Sequence, residues 1–462
     1  MLRHWVERWR RLSPHALFVV SFAALITIGT SGLFLIPGLY VGEPLGFVDA
    51  LFTMTSAVCV TGLIVVDTAT YFTRWGQLWI LLFVQLGGLG LITLTTLIIG
   101  ALGRRLSLRS EMITVPTATY REGRPEVSSV ARAAAKFTFV VEAFGAVALW
   151  PQFWQDFGPG DAAWHALFQS VSAFCNAGFS TFSTSLEDYA ERPLVPLTIS
   201  VLVVLGGLGY LTTTEVLRWW RGRKHERLLR LSSHSFASVT MTAVLLALGT
   251  LLFAAFEWHG VLAEMGLLDR LVNAWFMSVT PRTAGFNTIP YGSVGNGTAF
   301  LTILLMTIGG SPGSMAGGIK TTTAAILIAL ALARIRGRRQ VELHGRTVPE
   351  ATVERTASLA LVASGLVIAA VFLLSMTEMR GQPLAEERAA VLPLIFETVS
   401  AFGTVGLSMG VTPTLETSGR LFVIVLMFLG RVGPLAFFAA LSFRKARLPA
   451  GMRAAREDVV VG

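Results

Sequence analysis

The stretch FQSVSAFCNAG, residues 168–178, has three counterparts elsewhere in the chain. They read FTMTSAVCVTG from Phe52, FMSVTPRTAG from Phe276 and FETVSAFGTVG from Phe396. Each begins with phenylalanine and ends with glycine ten residues later, or nine residues later in the stretch from Phe276. Recurrence of one pattern along a chain is the mark of a repeat architecture, so the sequence predicts four structural units.

A second glycine motif follows each of these stretches. It reads LGGLG from Leu86 and from Leu205, IGGSPG from Ile308 and LGRVG from Leu429. Its first glycine comes 24 to 28 residues after the glycine that ends the first motif. Small residues let neighbouring membrane helices approach closely, so we interpret the second motif as a packing contact in the first two repeats.

The composition around these motifs is that of a membrane protein. The 462 residues are 53% hydrophobic and only 14% charged, and the mean hydropathy is +0.64. A water-soluble enzyme of this size carries about twice as many charges, so that class is excluded. Apolar segments long enough to cross about 30 Å of hydrocarbon are predicted to span the membrane. They include residues 16–39, 79–102, 194–217, 239–256 and 358–374.

Positive charge lies in polar stretches between the apolar segments. The net charge is +9, and most Lys and Arg residues fall in 1–15, 101–136, 218–230, 334–355 and 443–456. By the positive-inside rule all five stretches are cytoplasmic, and so are both termini. A nucleic-acid-binding surface is the alternative, but these runs flank apolar segments and contain no recognised binding module.

Between successive basic stretches lie two long apolar segments and one short one, such as residues 46–58. Three full crossings would place alternate basic stretches outside, against the positive-inside rule. A helix of about 13 residues reaches only about 20 Å, too little to span. Each short segment is therefore predicted to be a re-entrant pore helix that enters and leaves on the outer side.

The predicted fold is an all-α membrane protein with four pseudo-repeats of helix, pore helix, filter loop and helix around a central pore. It has eight full spans and four re-entrant hairpins, and it lies in the cell membrane as a multi-pass protein. The predicted segments, in chain order, are the cytoplasmic N-terminus 1–15, repeat one 16–103, a linker 104–132, repeat two 133–220, a linker 221–236, repeat three with its gate loop 237–335, a linker 336–355, repeat four 356–443 and the cytoplasmic C-terminus 444–462.

The glycine that ends each stretch is predicted to shape an ion filter. Glycine tolerates a positive φ, which a loop needs when it turns successive carbonyl groups toward one axis. Rings of carbonyl oxygens replace the hydration shell of K⁺, and a divalent channel more often has an acidic ring. The alternative is that the glycines only permit close packing. The predicted filter residues, none of them acidic, are Val60, Thr61, Gly62, Asn176, Ala177, Gly178, Thr283, Ala284, Gly285, Thr404, Val405 and Gly406.

The second motif of repeat three lies in a glycine-rich segment. Residues 307–323 hold five glycines and one proline, which a continuous helix does not favour. A break near mid-membrane is predicted, and we interpret residues 309–318 as a gate loop in preference to a simple kink. The gate residues are predicted to be Gly309, Gly310, Ser311, Gly313, Ser314, Gly317, Gly318 and Arg431.

Two cationic residues lie near this segment in the predicted membrane region. Arg431 falls inside an apolar helix, where arginine by default faces the interior or an aqueous path. It could limit cation flow by its charge, or anchor the gate loop through bonds to backbone carbonyls. Lys320 is closer to the cytoplasmic end and is expected to snorkel to the membrane surface.

A secondary transporter and an enzyme are the two alternative function classes. A secondary transporter with broken helices would show inverted repeats, whereas all four units here share one orientation. An enzyme would need a catalytic constellation, but the seven histidines are scattered and no nucleophile or metal-protease motif occurs. The two cysteines, Cys59 and Cys175, imply no disulfide framework or metal cluster. The chain is therefore expected not to be an enzyme.

The motifs together resemble the Trk/Ktr/HKT superfamily of K⁺ transporters. The resemblance covers the four glycine loops, SAFCNAGFS from Ser172, RTAGFNT from Arg282, IGGSPGSMAGGIKTTT from Ile308 and LGRVGPL from Leu429. The chain starts directly with repeat one, without the extra N-terminal helix pair of the TrkH branch. It is accordingly most similar to the KtrB membrane subunit.

This resemblance implies K⁺ uptake, with K⁺ held at the filter carbonyls and no organic cofactor in this chain. It also implies a homodimer in membrane lipid with one pore per protomer, bound to a cytosolic nucleotide-binding regulatory ring of the KtrA type, and Na⁺ as an activator. Pro312 departs from the alanine frequent in the TrkH branch. Gly62, where Na⁺-passing plant relatives carry serine, favours K⁺. The alternative is a Na⁺-permeable or Na⁺-coupled transporter of the same fold.

Overall fold

The structure is a computed structural model, and it describes residues 14–89, 127–224, 230–381 and 383–433. These residues are mostly helical. The sequence predictions for the N-terminus, for most of the first linker, for the end of the second helix of repeat one and for the C-terminus lie outside them. In repeat one the helices are α1 Pro14–Leu35, α2 Phe47–Cys59, α3 Thr68–Tyr71 and α4 Arg74–Gly88.

The helices of the other three predicted repeats follow in chain order. Repeat two contains α5 Val127–Phe174 and α6 Leu194–Lys224, with a short 3₁₀ helix at Glu187–Tyr189. Repeat three contains α7 Ser233–Glu257, α8 Leu267–Val279, α9 Asn296–Met306 and α10 Thr321–Ile335. Repeat four contains α11 Glu350–Glu378, α12 Leu384–Gly403 and α13 Thr417–Val432, with a 3₁₀ helix at Thr412–Thr414.

Within the described part of the chain, five helical segments are long and apolar enough to cross a membrane. They are Ala16–Leu35, Ala131–Phe174, Leu194–Gly222, Ser233–Glu257 and Glu350–Glu378. The chain is therefore a multi-pass membrane protein. The total of eight spans stays a prediction, because α4 and α13 lead directly into residues that the structure does not describe.

The short helices have the predicted length in two repeats. α2 and α8 each contain 13 residues, and in repeat two a break at Gly158, with φ 73° and ψ 171°, separates the pore helix from the span before it. In repeat four the expected length is wrong, because α12 contains 20 residues. Its first turns, with Glu386 and Glu387, are polar and extend the helix before the apolar part begins.

Two helices are interrupted where the gate loop lies. The predicted break in repeat three is present, since α9 ends at Met306, α10 begins at Thr321, and Ile308 and Ile319 pair as a parallel bridge. α6 also breaks at Gly209, with φ 76° and ψ 162°, and the sequence analysis did not predict this. The predicted linker 336–355 contains a small antiparallel hairpin of β1 Glu342–Leu343 and β2 Arg346–Thr347.

The phenylalanine that begins each quoted stretch anchors its pore helix. Phe52, Phe168, Phe276 and Phe396 are all fully buried. The first two lie in one cluster of buried apolar side chains and the last two in a second cluster. Four equivalent positions are thus fixed in the interior, and each one holds the loop that follows its helix in a defined place.

Candidate functional site

The glycine that ends each stretch adopts a left-handed backbone. The φ angles are 94° at Gly62, 71° at Gly178, 77° at Gly285 and 92° at Gly406. An L-residue with a side chain rarely adopts this conformation, whereas glycine does so at little steric cost. The motif therefore requires glycine for backbone reasons in all four repeats.

The structure brings these four glycines together around one axis. A Cβ atom on Gly178 would lie 2.8 Å from the Gly285 Cα, and one on Gly285 would lie 2.7 Å from the Val405 oxygen. A Cβ on Gly406 would meet the Thr61 oxygen, and one on Gly62 would lie 3.0 Å from the Gly178 Cα. Each turn therefore contacts the next, in the order of repeats one, two, three and four, and the ring closes on itself.

The first residue of each turn is also left-handed, although it carries a side chain. The φ angles are 56° at Val60, 59° at Asn176, 69° at Thr283 and 50° at Thr404. This conformation costs about 1–3 kcal/mol for such residues and persists where the surrounding structure enforces it. The sequence analysis named these residues as filter residues but not as strained ones, because no composition rule marks a Val or Thr for positive φ.

The middle residues of three turns close the ends of their pore helices. The backbone N–H groups of Thr61, Ala177 and Val405 each donate to a carbonyl five residues earlier, at 2.8 Å. In repeat three, Ala284 N–H donates to the Thr280 oxygen at 3.0 Å, four residues earlier. The shorter closure fits the one-residue deletion in that repeat.

A hydroxyl group four residues after each phenylalanine holds the turn, and the sequence analysis missed it. Ser56 Oγ accepts from the Gly62 N–H at 3.0 Å, and Ser400 Oγ accepts from the Gly406 N–H at 3.1 Å. In repeat two Ser172 Oγ donates to the Phe179 oxygen at 2.7 Å, and in repeat three Thr280 donates to the Phe286 oxygen. The signal was present as a Ser or Thr at a fixed offset in every stretch.

The second glycine motif packs against the pore helices, as predicted for repeats one and two. A Cβ on Gly87 would meet the Val58 carbonyl and one on Gly206 the Phe174 carbonyl. The same contact occurs in repeat four, between Gly430 and Phe402. These carbonyls hold the same position in their repeats, six residues after the phenylalanine that begins each stretch, at Val58, Phe174 and Phe402.

Gly309, the corresponding glycine of repeat three, lies against the gate loop instead. Its N–H donates to the Ile319 oxygen at 2.8 Å. A Cβ there would meet the Gly317 carbonyl and lie 3.2 Å from the Thr283 methyl group. A Cβ on Gly317 would lie 3.1 Å from the Thr404 Cβ, and one on Gly318 would lie 3.1 Å from the Gly403 oxygen. The gate loop therefore lies directly beside the turns of repeats three and four.

The gate loop is also bound to the second helix of repeat two. Ser311 N–H donates to the Gly207 oxygen at 2.8 Å, and Met315 N–H donates to the Gly206 oxygen at 3.1 Å. A Cβ on Gly209 would lie 2.8 Å from the Gly313 oxygen and 2.9 Å from the Ser314 Cα. The break in α6 thus makes room for the loop. Gly310 joins the loop to α10 by accepting from the Thr321 N–H at 3.0 Å.

Both cations of this region bind backbone carbonyls. Arg431 donates to the Met315 oxygen in the gate loop and, at 2.6 Å, to the Gly87 oxygen in α4. These contacts fit the anchoring interpretation of Arg431. The snorkelling expected of Lys320 is wrong, because its ammonium donates to the Ala316 oxygen at 2.7 Å and the Gly317 oxygen at 3.3 Å. The helix break frees these carbonyls, and the lysine satisfies them.

One cavity adjoins the ring of turns and another adjoins the gate loop. One of about 410 Å³ is lined by the four turn glycines together with Asp67 and Glu187. Burial raises the pKa of Glu187, whose carboxylate accepts from Asn287 Nδ2 at 2.6 Å. The other cavity, of about 200 Å³, is lined by gate-loop residues, Lys320 and Arg431. One cavity is therefore acidic and the other cationic.

Two acids that are buried within apolar helices, Glu142 and Glu397, were not predicted from the sequence. Glu142 in α5 is 3% exposed and accepts from Gln85 Nε2 at 3.2 Å. Glu397 in α12 is fully buried and accepts from Ser408 Oγ at 2.7 Å and from Thr412. Each is a single acid within an apolar run, and such residues are by default functional candidates in a membrane protein.

Known proteins are similar to this chain in sequence and in fold. A family model described as a cation transport protein, TrkH, matches residues 12–451. The chain is 37% identical over 454 residues to the potassium/sodium uptake protein NtpJ of Enterococcus hirae, covering 98% of each protein. It is 35% identical over 451 residues to the Ktr system potassium uptake protein B of Bacillus subtilis, covering 96% of this chain and 97% of that protein.

A solved structure agrees at the level of the fold. The potassium transporter TrkH from Vibrio parahaemolyticus matches with a TM-score of 0.72 and 18% identity, covering 92% of this chain and 83% of that one. The family match spans nearly the whole chain, and the resemblance inferred from the motifs is confirmed. The chain belongs to the TrkH family of cation transport proteins.

Proposed function

We propose that this protein carries K⁺ into the cell through the ring of four glycine turns. The observation that carries the proposal is the contact of each turn with the next, which closes the four turns into one ring. Carbonyl oxygens arranged in rings replace the hydration shell of a K⁺-sized ion. The names of the relatives, a potassium/sodium uptake protein in Enterococcus hirae and a potassium uptake protein in Bacillus subtilis, support K⁺ as a substrate.

The ion enters from the acidic cavity and leaves through the cationic one. Asp67 and Glu187 line the first cavity and raise the local concentration of cations there. The filter consists of the three residues at each turn that the sequence analysis named. None of them carries a carboxylate, so the filter favours a monovalent ion over a divalent one.

Residues 309–318 and Arg431 form the gate in this proposal. The loop lies beside the turns of repeats three and four and lines the cationic cavity, a position from which it can block the path of an ion. It is held by backbone bonds to Gly206 and Gly207 and by the guanidinium of Arg431. The loop has several glycines and lies outside any helix, so it can move without unfolding a helix. Opening requires the Arg431 and backbone contacts to break together.

The assembly follows from the family resemblance. Two copies form a homodimer with one pore each, and a cytosolic nucleotide-binding ring of the KtrA type controls the gate. In this proposal both termini and the basic stretches face the cytoplasm, and the chain forms eight spans in four repeats. Na⁺ acts as an activator. Passage of Na⁺ itself is the second candidate, and the name potassium/sodium uptake protein of the Enterococcus hirae relative supports it.

Growth rescue tests the proposed function. The chain is expressed in a bacterium that lacks K⁺ uptake, as wild type, as Gly62→Ser and as Gly42→Ser. We expect the wild type and the Gly42 variant, whose added side chain meets nothing within 4 Å, to restore growth at low K⁺. Gly62→Ser is expected to lower K⁺ over Na⁺ selectivity. Absence of K⁺-dependent growth with well-expressed wild-type protein would overturn the proposal.

A further inference from the structure

One position of the pore helix differs between neighbouring repeats. The residue that follows the phenylalanine at the start of each stretch is, in repeats one to four respectively, Thr53, Gln169, Met277 and Glu397. The ring order places repeats two and four on opposite sides of the axis. Long polar side chains therefore stand behind two turns that face each other across the pore.

Gln169 and Glu397 make the same contact in their repeats. Gln169 Nε2 donates to Ser180 Oγ at 2.7 Å, and Glu397 Oε2 accepts from Ser408 Oγ at 2.7 Å. Both serines lie two residues after the turn glycine. Both also accept from the backbone N–H two residues further on, at 3.0 Å from Phe182 and 3.1 Å from Gly410.

The pore-helix side of the contact is buried, whereas Ser180 and Ser408 are partly buried and line the acidic cavity. Gln169 and Glu397 are both fully buried, and Thr412 also donates to the second oxygen of Glu397. A buried polar group is costly to leave without its hydrogen bond, so both side chains favour the contact with their serine. The segment after the glycine is thus tied to the pore helix in repeats two and four.

Repeats one and three are built differently at the same place. Thr53 Oγ1 donates to the Asp49 oxygen of its own helix at 2.8 Å, and Met277 has no hydrogen-bonding group suited to this contact. The residues two after the glycine are Ile64 and Asn287, and Asn287 binds Glu187 instead. The hydrogen bond between the pore helix and the segment after the glycine is therefore a feature of the two opposite turns, those of repeats two and four.

We propose that Gln169 and Glu397 are positioning residues that fix the outer half of the filter through Ser180 and Ser408. The inference rests on the proposed K⁺ transport and adds a determinant of its selectivity. Discrimination between K⁺ and Na⁺ depends on keeping the carbonyl oxygens from closing around the smaller ion. The hydrogen bonds of Gln169 and Glu397 hold the turns of repeats two and four apart. Packing holds the turns of repeats one and three.

The test measures the ratio of K⁺ to Na⁺ transport in vesicles containing the full chain. Variants are Gln169→Leu, Glu397→Leu, Ser408→Ala and Glu397→Gln, with Met277→Leu as the control at the equivalent position of repeat three. We expect Gln169→Leu, Glu397→Leu and Ser408→Ala each to lower the ratio at least about fivefold. Met277→Leu and Glu397→Gln should stay within about twofold of wild type, since glutamine already makes this contact in repeat two.

The ratio separates positioning from folding, because it does not depend on how much active protein the vesicles contain. Combining Glu397→Leu with Ser408→Ala should lower the ratio by less than the product of the two single effects, because both changes break the contact between Glu397 and Ser408. An unchanged ratio in Ser408→Ala and in the two leucine variants would overturn the inference while leaving K⁺ transport intact. Failure of the wild type to transport K⁺ would instead overturn the proposed function.

Discussion

At the scale of single residues, the site depends on backbone conformations that few side chains tolerate. Each turn pairs a left-handed residue that has a side chain with a left-handed glycine two positions later. The glycines are also the points of contact between neighbouring turns. Strain of this kind is maintained by the surrounding structure, here by buried pore helices and their hydroxyl groups. Residue changes at the turns should therefore affect ion passage first.

Gly285→Ala tests this dependence. The new methyl group would lie 2.7 Å from the Val405 oxygen and 2.8 Å from the Gly178 Cα, at a φ of 77°. We expect uptake of ⁸⁶Rb⁺ into vesicles to fall at least about tenfold. Gly292→Ala is the control, because its added methyl group meets nothing within 4 Å. Equal uptake by the two variants would contradict the close contact between turns.

At the scale of elements, two broken helices and one arginine hold the gate loop. The loop in repeat three was predictable from its five glycines and one proline, since such a segment disfavours a helix. The break at Gly209 was not, because the LGGLG motif there predicts only close helix packing, and the contact of Gly209 with Gly313 and Ser314 depends on where the gate loop lies. The hydrogen bond from Arg431 to the Gly87 carbonyl joins distant parts of the chain, and only a tertiary structure shows that Gly87 is its partner.

Removing the donors of Arg431 should loosen the gate loop. Arg431→Gln cannot bind both the Met315 and the Gly87 carbonyls as the guanidinium does. We expect vesicles that contain this variant alone, without any cytosolic partner, to take up ⁸⁶Rb⁺ at least about threefold faster than the wild type. Arg74→Gln, which removes an exposed pair with Asp161, is the control and should leave the rate unchanged. A rate at or below that of wild type would argue against a gate at this loop.

Adjacent glycines in α6 give a matched test of helix packing. A Cβ on Gly206 would meet the Phe174 carbonyl, whereas a Cβ on Gly207 would lie 3.7 Å from its nearest neighbour, Asn176 Nδ2. We expect Gly206→Ala to lower the Tm in detergent by at least about 3 °C, the size of a loss of about 3 kcal/mol in a chain of 462 residues. Gly207→Ala should change the Tm by less than about 1 °C. Similar Tm values for both variants would count against packing as the role of the second motif.

At the scale of the whole molecule, the two cavities carry opposite charge. The cavity beside the four turns is lined by acids and the one beside the gate loop by Arg431 and Lys320. The class of fold, the short pore helices and the ring of glycines followed from hydropathy, charge placement and a repeat. The hydroxyl bonds, the strained residues and the buried Glu397 did not, because each depends on which side chains meet after the four repeats have packed.

Acidification should weaken ion capture at the acidic cavity. Burial raises the pKa of Glu187, so its charge is present above that pKa and is lost as the pH falls through it, earlier than for an ordinary glutamate. We expect the K⁺ concentration for half-maximal uptake to rise as the external pH is lowered through this range. In Glu187→Gln that pH-dependent rise should shrink, with a higher half-maximal concentration at neutral pH. An unaltered pH profile in the variant would show that Glu187 plays no part in capture.

The central claim is that backbone oxygens of the four turns bind the transported ion. Crystals of the protein grown in RbCl can be examined by anomalous diffraction at the rubidium edge. We predict Rb⁺ peaks on the axis enclosed by Gly62, Gly178, Gly285 and Gly406, within bonding distance of the carbonyl oxygens of their turns. Protein that transports Rb⁺ in vesicles yet shows its Rb⁺ peaks only elsewhere would contradict the account.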